Sequence, residues 1–263
     1  MAIAHRGGEG MNERSADIVA PAGTMPTFVV RPERDCPFPA VIVYMDFWGV
    51  REELRDVARS IARAGYCCLL PDLYYRQGSI RNEVRDRQGR TTSLSRLDEA
   101  TRAKVLAPLR RFSDAEAMDD TQALLQFLAS HDAARAGPVG CVGFCLGGRL
   151  ALRAAATFPE HFKAAASLHG SALVTEHAGS PHRLAGKLRG ELYCGFAAHD
   201  PYTSPATTDE LASAMASTTA KYSYQVHAGT EHGYALPERD IYDQGAAQRD
   251  WDSILAMFQR QLS

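Results

Sequence analysis

Six short apolar runs recur along the chain, and segments with helical spacing of apolar residues separate most of them. The runs are residues 40–45, 66–70, 139–144, 164–168, 191–196 and 221–226. The first run, AVIVYM, is continuous and rich in β-branched residues, which is typical of a strand buried on both faces. Strands that alternate with helices in this way predict a mostly parallel sheet with helices on both faces.

Helical spacing of apolar residues is clearest in four segments. Their apolar positions are Leu54, Val57, Ala58 and Ile61; Leu124, Leu125 and Leu128; an alanine-rich segment 150–158; and Trp251, Ile254, Leu255, Phe258 and Leu262. Gly65 stands where a glycine in the left-handed conformation would end the first helix. Ser113 and Glu116 form a predicted capping box before the second helix.

The chain has 263 residues, of which 45% are hydrophobic and 23% charged, as in an ordinary globular protein. We expect one α/β domain over residues 1–263, because no linker rich in proline, glycine or serine divides the chain. Segment 76–111 interrupts the alternation, since it is dense in arginine and poor in large apolar residues. Two interpretations fit this segment: a solvated, partly helical excursion, or a cap over a pocket whose arginines face an anionic substrate.

Charge and cysteine content exclude several classes of protein. The 29 basic and 31 acidic residues give a net charge of −2, without the basic excess of a nucleic-acid-binding protein. The run 40–45 is far shorter than the roughly 20 residues that cross a bilayer, and residues 1–10 lack the apolar region of a secretory signal. The six cysteines show no CxxC spacing. We therefore expect a cytoplasmic protein with free thiols, without nucleic-acid or membrane partners, as a monomer or homodimer.

The strongest local motif is Gly143-Phe144-Cys145-Leu146-Gly147, which follows an apolar run and precedes a helical segment. A nucleophile at a sharp strand-to-helix turn has strained backbone angles and needs small neighbours two residues away on each side. The turn aims the side chain at the N-terminus of the next helix, where N–H groups favour a thiolate and an oxyanion. The motif predicts a nucleophilic Cys145, although a glycine-rich turn with an incidental cysteine would have the same pattern.

A nucleophilic thiol needs a base and a group that orients the base. Asp200 and His232 lie in the loops that follow the last two predicted strands. In hydrolases with this type of turn the chain order is nucleophile, acid, histidine, and ligands bind at the carboxyl ends of the strands. We therefore predict a catalytic triad of Cys145, Asp200 and His232, with His227 as the rival base.

The loop after the first predicted strand contributes further candidates, Asp46, Phe47 and Trp48. In hydrolases of this type one oxyanion donor is the N–H after the nucleophile, and the other comes from this loop. The predicted donors are therefore the backbone N–H groups of Leu146 and Phe47. Asp46 is either a functional carboxylate or a cap of the following helix. The Trp48 ring either lines the acyl pocket or packs the core.

Several segments resemble the dienelactone hydrolase family, and the resemblance covers most of the chain from Pro39 to the last helix. The segments are residues 39–50 (PAVIVYMDFWGV), 65–66 with 71–74, and 143–148, together with the loops that hold Asp200 and His232. The resemblance implies an α/β-hydrolase fold. It also implies a cysteine-dependent hydrolase that opens a dienelactone-like lactone, or cleaves an activated ester, through an acyl-thiol intermediate. The predicted reaction needs no metal and no organic cofactor.

The resemblance implies roles for side chains around the thiol, and two positions depart from the family pattern. The family places a gating carboxylate, usually glutamate, where this chain has the shorter Asp46. Founding members carry an arginine four residues after the histidine to bind the substrate carboxylate, and here that residue is Leu236. Arg239, or an arginine of segment 76–111 such as Arg76, is expected to take that role, unless the substrate lacks the carboxylate.

Three alternatives compete with this hypothesis. A broad carboxylesterase, or a lactonase for another ring, would use the same residues on a different small-molecule substrate. A non-catalytic small-molecule binder would leave Cys145 inert, but it would not need all three triad residues. A thiol redox role would pair Cys145 with Cys141, whose spacing across a strand-to-turn junction places the Cα atoms beyond the disulfide limit of about 7 Å.

Overall fold

The structure is a computed structural model, and it describes residues 10–34 and 37–263. An eight-stranded sheet runs through the molecule in the order β1-β2-β4-β3-β5-β6-β7-β8. The strands are β1 (Met11–Ala20), β2 (Gly23–Pro32), β3 (Ala40–Tyr44), β4 (Cys67–Pro71), β5 (Val139–Phe144), β6 (Phe162–Leu168), β7 (Glu191–His199) and β8 (Lys221–Glu231). The β1–β2 and β2–β4 pairs are antiparallel, and all other pairs are parallel.

Helices cover both faces of this sheet. They are α1 (Glu52–Arg63), α2 (Glu99–Arg110), α3 (Asp114–Ala129), α4 (Leu146–Thr157), α5 (Pro205–Ala216) and α6 (Gln244–Leu262). Gly140 and Cys141 are consecutive in β5 and so point to opposite faces. A Cβ on Gly140 would lie 2.7 Å from Leu262 of α6, whereas the Cys141 Sγ lies 3.6 Å from the Ala151 carbonyl oxygen of α4. The predicted architecture, a mostly parallel sheet between helices, is confirmed.

The strands that lead to the predicted acid and base are longer than the apolar runs indicate. Strands β7 and β8 continue past residues 196 and 226 because their backbones stay paired as far as His199 and Glu231. These strand ends carry polar and small side chains, so a search for apolar runs does not detect them. As a result, Asp200 and His232 each follow a strand directly, at the same edge of the sheet.

Several local predictions are confirmed and others are incomplete. The Ser113 hydroxyl accepts a hydrogen bond from the Glu116 N–H at 3.3 Å, and Gly65 has a φ of 104°. Helix α4 begins at Leu146 rather than near residue 150, because its two glycines contribute no apolar side chain to the helical period. The sequence pattern predicts neither the β1–β2 hairpin, whose first strand is mostly exposed, nor α5.

Segment 76–111 is partly helical, since it contains α2 and a 3₁₀ turn at Leu94–Arg96. It is attached to the chain that follows His232: the Thr91 N–H donates to the Glu238 carbonyl at 2.7 Å, and the Ser93 hydroxyl donates to Asp240 at 2.6 Å. These bonds hold the segment over the edge of the sheet at which β7 and β8 end.

Two predictions concern residues outside the described ranges. The non-secretory character of residues 1–10 depends almost entirely on residues 1–9, and Cys36 is likewise not described. Within residues 10–34 and 37–263, no helix has the length and apolar character needed to cross a membrane.

Candidate active site

The strand-to-helix turn at Cys145 has the strained geometry that its sequence predicts. Cys145 joins β5 to α4 with φ 54° and ψ −111°, a conformation that L-residues rarely adopt. A Cβ on Gly143 would lie 1.9 Å from the Gly147 carbonyl oxygen, and one on Gly147 would lie 2.2 Å from that of Tyr44. Any larger residue at either position would therefore displace the turn.

The Cys145 side chain is 7% exposed and lies at the edge of the sheet. Its Sγ donates to the hydroxyl oxygen of Ser171 at 3.8 Å. The Ser171 N–H in turn donates to the Cys145 carbonyl at 3.1 Å. Ser171 follows β6, so the thiol and its hydrogen-bond partner come from the ends of neighbouring strands.

The structure brings His232 and Asp200 together. The ring Nδ1 of His232 lies 2.7 Å from Asp200 Oδ2, which fixes Nδ1 as the protonated nitrogen. The other ring nitrogen, Nε2, is buried and has no hydrogen-bond partner among the residues described. The rings of Tyr202 and His169 pack edge-on against the imidazole, with centroids 4.7 and 5.1 Å away. His232 is therefore held on two sides and by one carboxylate, with Nε2 available to another group.

The charge on Cys145 controls the protonation of His232. Burial lowers the pKa of His232, but the Cys145 thiolate and the Asp200 carboxylate outweigh it and raise the pKa to about 10. The histidine thus holds a proton strongly when the thiol is ionised.

One predicted oxyanion donor belongs to the residue after Cys145, and the other belongs to the loop after β3. The Leu146 N–H opens α4 and so has no acceptor within the helix. In the loop after β3, Tyr74 donates its hydroxyl to the Phe47 carbonyl at 3.0 Å, and the Trp48 N–H donates to Asp46 at 3.0 Å. Across the described ranges the Phe47 N–H donates to no protein acceptor. These hydrogen bonds fix the loop and leave the Phe47 N–H available.

Asp46 binds a cation rather than the thiol. Its two carboxylate oxygens accept from Arg51 at 2.7 and 3.0 Å, and the same guanidinium binds Glu53 at 3.0 and 2.5 Å. No hydrogen bond in the described part of the chain joins Asp46 to Cys145. Arg51 occupies the N-cap position of α1 and also donates to the Gly49 carbonyl at 3.3 Å. The buried ion cluster therefore stabilises the loop that carries the Phe47 N–H.

A cavity of about 610 Å³ opens over His232. Segment 76–111 and the loops after β7 and β8 supply most of its wall, which includes Phe47, Ser93, Leu94, Arg102, Leu106, Tyr202, His232 and Arg239. Arg239 is 4% exposed, its guanidinium lies 5.3 Å from the Trp48 ring centroid, and its Nε has no hydrogen-bond partner among the residues described. The Trp48 ring is fully buried beneath Arg239.

Two sequence candidates lie elsewhere. Arg76 does not line the cavity, because its guanidinium forms an ion pair with Asp120 and stacks on the Tyr75 ring. His227, the rival base, binds Asp250 at 2.7 Å through Nε2 and is buried. Neither side chain is free to act on the cavity.

Sequence reasoning missed Ser171, Arg51 and His169. Ser171 and His169 follow the predicted strand 164–168, so their position at the active edge of the sheet was the one available signal. His169 is buried, and both of its ring nitrogens lack hydrogen-bond partners in the described part of the chain. Burial and the neighbouring His232 lower its pKa well below the usual range, so it packs against the site as a neutral ring.

Comparisons with known proteins give a consistent result. A model of the "Dienelactone hydrolase family" matches residues 25–262. A "Putative carboxymethylenebutenolidase" from Synechocystis sp. is 26% identical over 228 residues, which cover 86% of this chain and 87% of that protein. A protein of the same name from Methylorubrum extorquens is 27% identical over 244 residues, 90% of this chain and 77% of that one. The crystal structure of a "Putative Dienelactone Hydrolase" from Klebsiella pneumoniae superimposes with a TM-score of 0.80 at 27% identity, covering 95% of this chain and 99% of that one.

Proposed function

The chain belongs to the dienelactone hydrolase family, and on that premise we propose that it hydrolyses lactones or activated esters through the Cys145 thiol. One observation carries this proposal: the His232 ring is bonded to Asp200 through Nδ1, while its buried Nε2 has no partner in the described residues and interacts with the Cys145 charge. A nucleophile, a base and an orienting carboxylate in this relation support a Cys-His-Asp triad.

Acylation begins with transfer of the Cys145 thiol proton to Nε2 of His232. The thiolate then attacks the carbonyl carbon, and the S–C bond forms as the carbonyl π electrons move to oxygen. In this proposal the N–H groups of Phe47 and Leu146 donate to the oxyanion, and one such donor typically contributes about 10²–10³ in rate. When the oxyanion collapses, the C–O bond to the leaving group breaks, and the departing oxygen takes the proton from Nε2.

Deacylation uses the change in charge that acylation causes. The acyl-thiol carries no negative charge on sulfur, so the electrostatic effect that raises the pKa of His232 most is removed. The neutral imidazole can then take a proton from water, and the hydroxide attacks the thioester carbon. The C–S bond breaks, the sulfur recovers the proton, and the carboxylic acid product leaves. Aryl esters, thioesters and enol lactones suit this chemistry, because a thiolate needs a good leaving group.

Arg239 supports a substrate that carries an anionic group. It is a buried cation on the cavity wall, and no described carboxylate forms an ion pair with it. Arg102 faces the same cavity from α2. We therefore propose that segment 76–111 forms a cap within a single α/β domain and that Arg239 binds the substrate carboxylate. A reducing, cytoplasmic setting suits a nucleophilic thiol and the other described cysteines, which are buried and free.

The decisive experiment compares turnover of dienelactone and p-nitrophenyl acetate by wild type, Cys145→Ala and Cys145→Ser. Cys141→Ala is the matched control, because Cys141 is a fully buried thiol in β5, the strand that precedes Cys145. We expect Cys145→Ala to lose at least about 10³-fold in kcat/KM on both substrates, and the control to stay within a few-fold of wild type. Full activity in Cys145→Ala would refute the mechanism. Turnover of the simple ester alone by wild type would favour a broad carboxylesterase.

The role of Arg239 is tested separately with Arg239→Gln. A charge-assisted hydrogen bond contributes about 1.5–3 kcal/mol, so KM for a lactone bearing a carboxylate should rise by about 10- to 100-fold. The kinetic constants for p-nitrophenyl acetate, which has no carboxylate, should change little. Equal losses on both substrates would contradict a carboxylate-binding role.

A further inference from the structure

The resting thiol of Cys145 has a hydrogen-bond partner that the triad does not account for. Its Sγ lies 3.8 Å from the Ser171 hydroxyl oxygen, to which it donates. The Ser171 N–H donates to the Cys145 carbonyl at 3.1 Å, so both the side chain and the backbone of Cys145 contact the same residue. Ser171 is half-buried and follows β6 closely, at the edge of the sheet where β7 and β8 also end. Its hydroxyl is therefore fixed relative to the sulfur.

Two other groups are candidates to hold the sulfur. Both carboxylate oxygens of Asp46 are bound by Arg51. Within residues 10–34 and 37–263, Nε2 of His232 has no hydrogen bond of normal geometry, although Cys145 interacts with this histidine and raises its pKa. The base thus lies beside the sulfur, while the S–H is directed to the neutral Ser171 hydroxyl.

We propose that Ser171 holds the resting nucleophile: its hydroxyl oxygen accepts the Cys145 S–H and keeps that proton from His232 until substrate arrives. This inference rests on the proposed function, since it takes Cys145 as the nucleophile. When the carbonyl group enters, Sγ turns from Ser171, its proton passes to Nε2 of His232, and the S–C bond forms as described above. The Ser171 hydroxyl is chemically unchanged, and it accepts the thiol proton again once the acyl group has left.

A neutral hydroxyl beside the sulfur affects the ionisation of the Cys145 thiol differently from a carboxylate. A carboxylate beside the sulfur would repel a thiolate, and substrate would have to displace a charge. As the acceptor of the S–H, Ser171 stabilises the protonated thiol by the free energy of one hydrogen bond, so loss of the hydroxyl shifts the resting enzyme toward the thiolate–imidazolium pair. A net contribution of this kind corresponds to about a two- to tenfold change in the thiolate population.

The test is the rate at which iodoacetamide alkylates Cys145 in the intact protein near neutral pH, followed by mass spectrometry of the Cys145 peptide. The proteins are wild type, Ser171→Ala, Ser171→Thr, His232→Ala and the double variant Ser171→Ala/His232→Ala. We expect Ser171→Ala to be alkylated about two to ten times faster than wild type. Ser171→Thr keeps the hydroxyl and should restore the wild-type rate. The double variant should be alkylated at the same rate as His232→Ala, because the acceleration caused by Ser171→Ala depends on proton transfer to His232.

Three results would overturn the inference. An unchanged rate in Ser171→Ala would mean that the hydroxyl does not hold the thiol, and a slower rate would mean that it donates to the thiolate instead. An equal acceleration with and without His232 would indicate easier access of the reagent. If Ser171→Ala does not fold, as judged by circular dichroism, Ser171→Gly gives the same readout. Alkylation needs no substrate, so these outcomes are distinguishable from retained turnover by Cys145→Ala, which would refute the proposed function.

Discussion

Two histidine–aspartate pairs involve β8 and the loop that follows it, and they have the same separation. His232 binds Asp200 and His227 binds Asp250, both at 2.7 Å. Chemically the pairs are equivalent, yet only the first has the geometry that the proposed triad requires. The comparison shows that a short histidine–carboxylate bond is not by itself a sign of an active site.

The difference lies in which ring nitrogen the carboxylate occupies. Asp200 binds Nδ1 of His232, which leaves Nε2 available to the Cys145 sulfur, whose charge acts on this histidine. Asp250 binds Nε2 of His227, and it also accepts the hydroxyl groups of Tyr193 and Tyr234 at 2.7 and 2.6 Å.

The second pair serves the fold. His227 belongs to β8, Tyr193 to β7 and Asp250 to α6, and all three residues are buried. The cluster around Asp250 therefore ties one helix to two strands. It also supports the site from below, because Tyr234 packs against both His227 and His169, with ring centroids 5.1 and 5.6 Å away.

The largest difference in kcat/KM is expected between the variants His232→Gln and His227→Gln. Loss of the general base should lower kcat/KM by about 10³-fold or more in His232→Gln, with little change in thermal stability. His227→Gln should keep kcat/KM within a few-fold for the folded fraction, while its melting temperature falls. Steady-state kinetics and thermal unfolding of the two purified variants measure both effects. Loss of activity in a folded His227→Gln would remove the distinction between the pairs.

Substitution of the two carboxylates should likewise affect activity in one case and stability in the other, with a smaller effect on activity than His232→Gln has. Asp200→Asn should lower kcat by about 10²-fold or more, because the amide no longer fixes the tautomer of His232. Asp250→Asn should cost about 3 kcal/mol in the free energy of unfolding, since three buried donors lose a charged acceptor. Urea unfolding and single-substrate kinetics on both variants are the measurements. An Asp250→Asn protein as stable as wild type would contradict the structural role of this cluster.

The smallest expected effect is on the pH dependence of the free energy of unfolding. When the Cys145 thiolate is its neighbour, the pKa of His232 is raised in the folded protein from 6.5 to about 10, so the stabilising contribution of this pair is complete below about pH 6.5 and is lost as the pH rises toward about 10. We expect the free energy of unfolding to fall by at least about 1 kcal/mol over that window. Cys145→Ser removes the thiolate, the main group that raises this pKa, and should flatten the slope. Urea titrations across the window give the result, and equal slopes in both proteins would argue against the thiolate–imidazolium pair.

Much of the fold and part of the site could be predicted from local patterns. The order of strands and helices follows from apolar periodicity, and Asp200 and His232 follow from their positions after predicted strands. The β1–β2 hairpin escaped prediction because β1 is mostly exposed and has no apolar run. The length of β8 escaped it because an edge strand buries few side chains. Ser171 had no chemical signal beyond its place after a strand.

The sequence by itself determined part of the turn at Cys145, because the contact that requires Gly143 is made with Gly147, only four residues further on. The contact that requires Gly147 is made with the Tyr44 carbonyl of β3, and only the tertiary structure brings that group close. The sequence also determined which residues reach the carboxyl edge of the sheet. Only the tertiary structure decided that Asp46 binds Arg51 rather than Cys145 and that Ser171 receives the thiol. These choices depend on side-chain directions and on burial, which the packing of β3, β5 and β6 with their following loops sets. Hydrogen bonds of buried charges are decided by such non-local packing, whereas backbone strain and apolar periodicity are properties of the local chain.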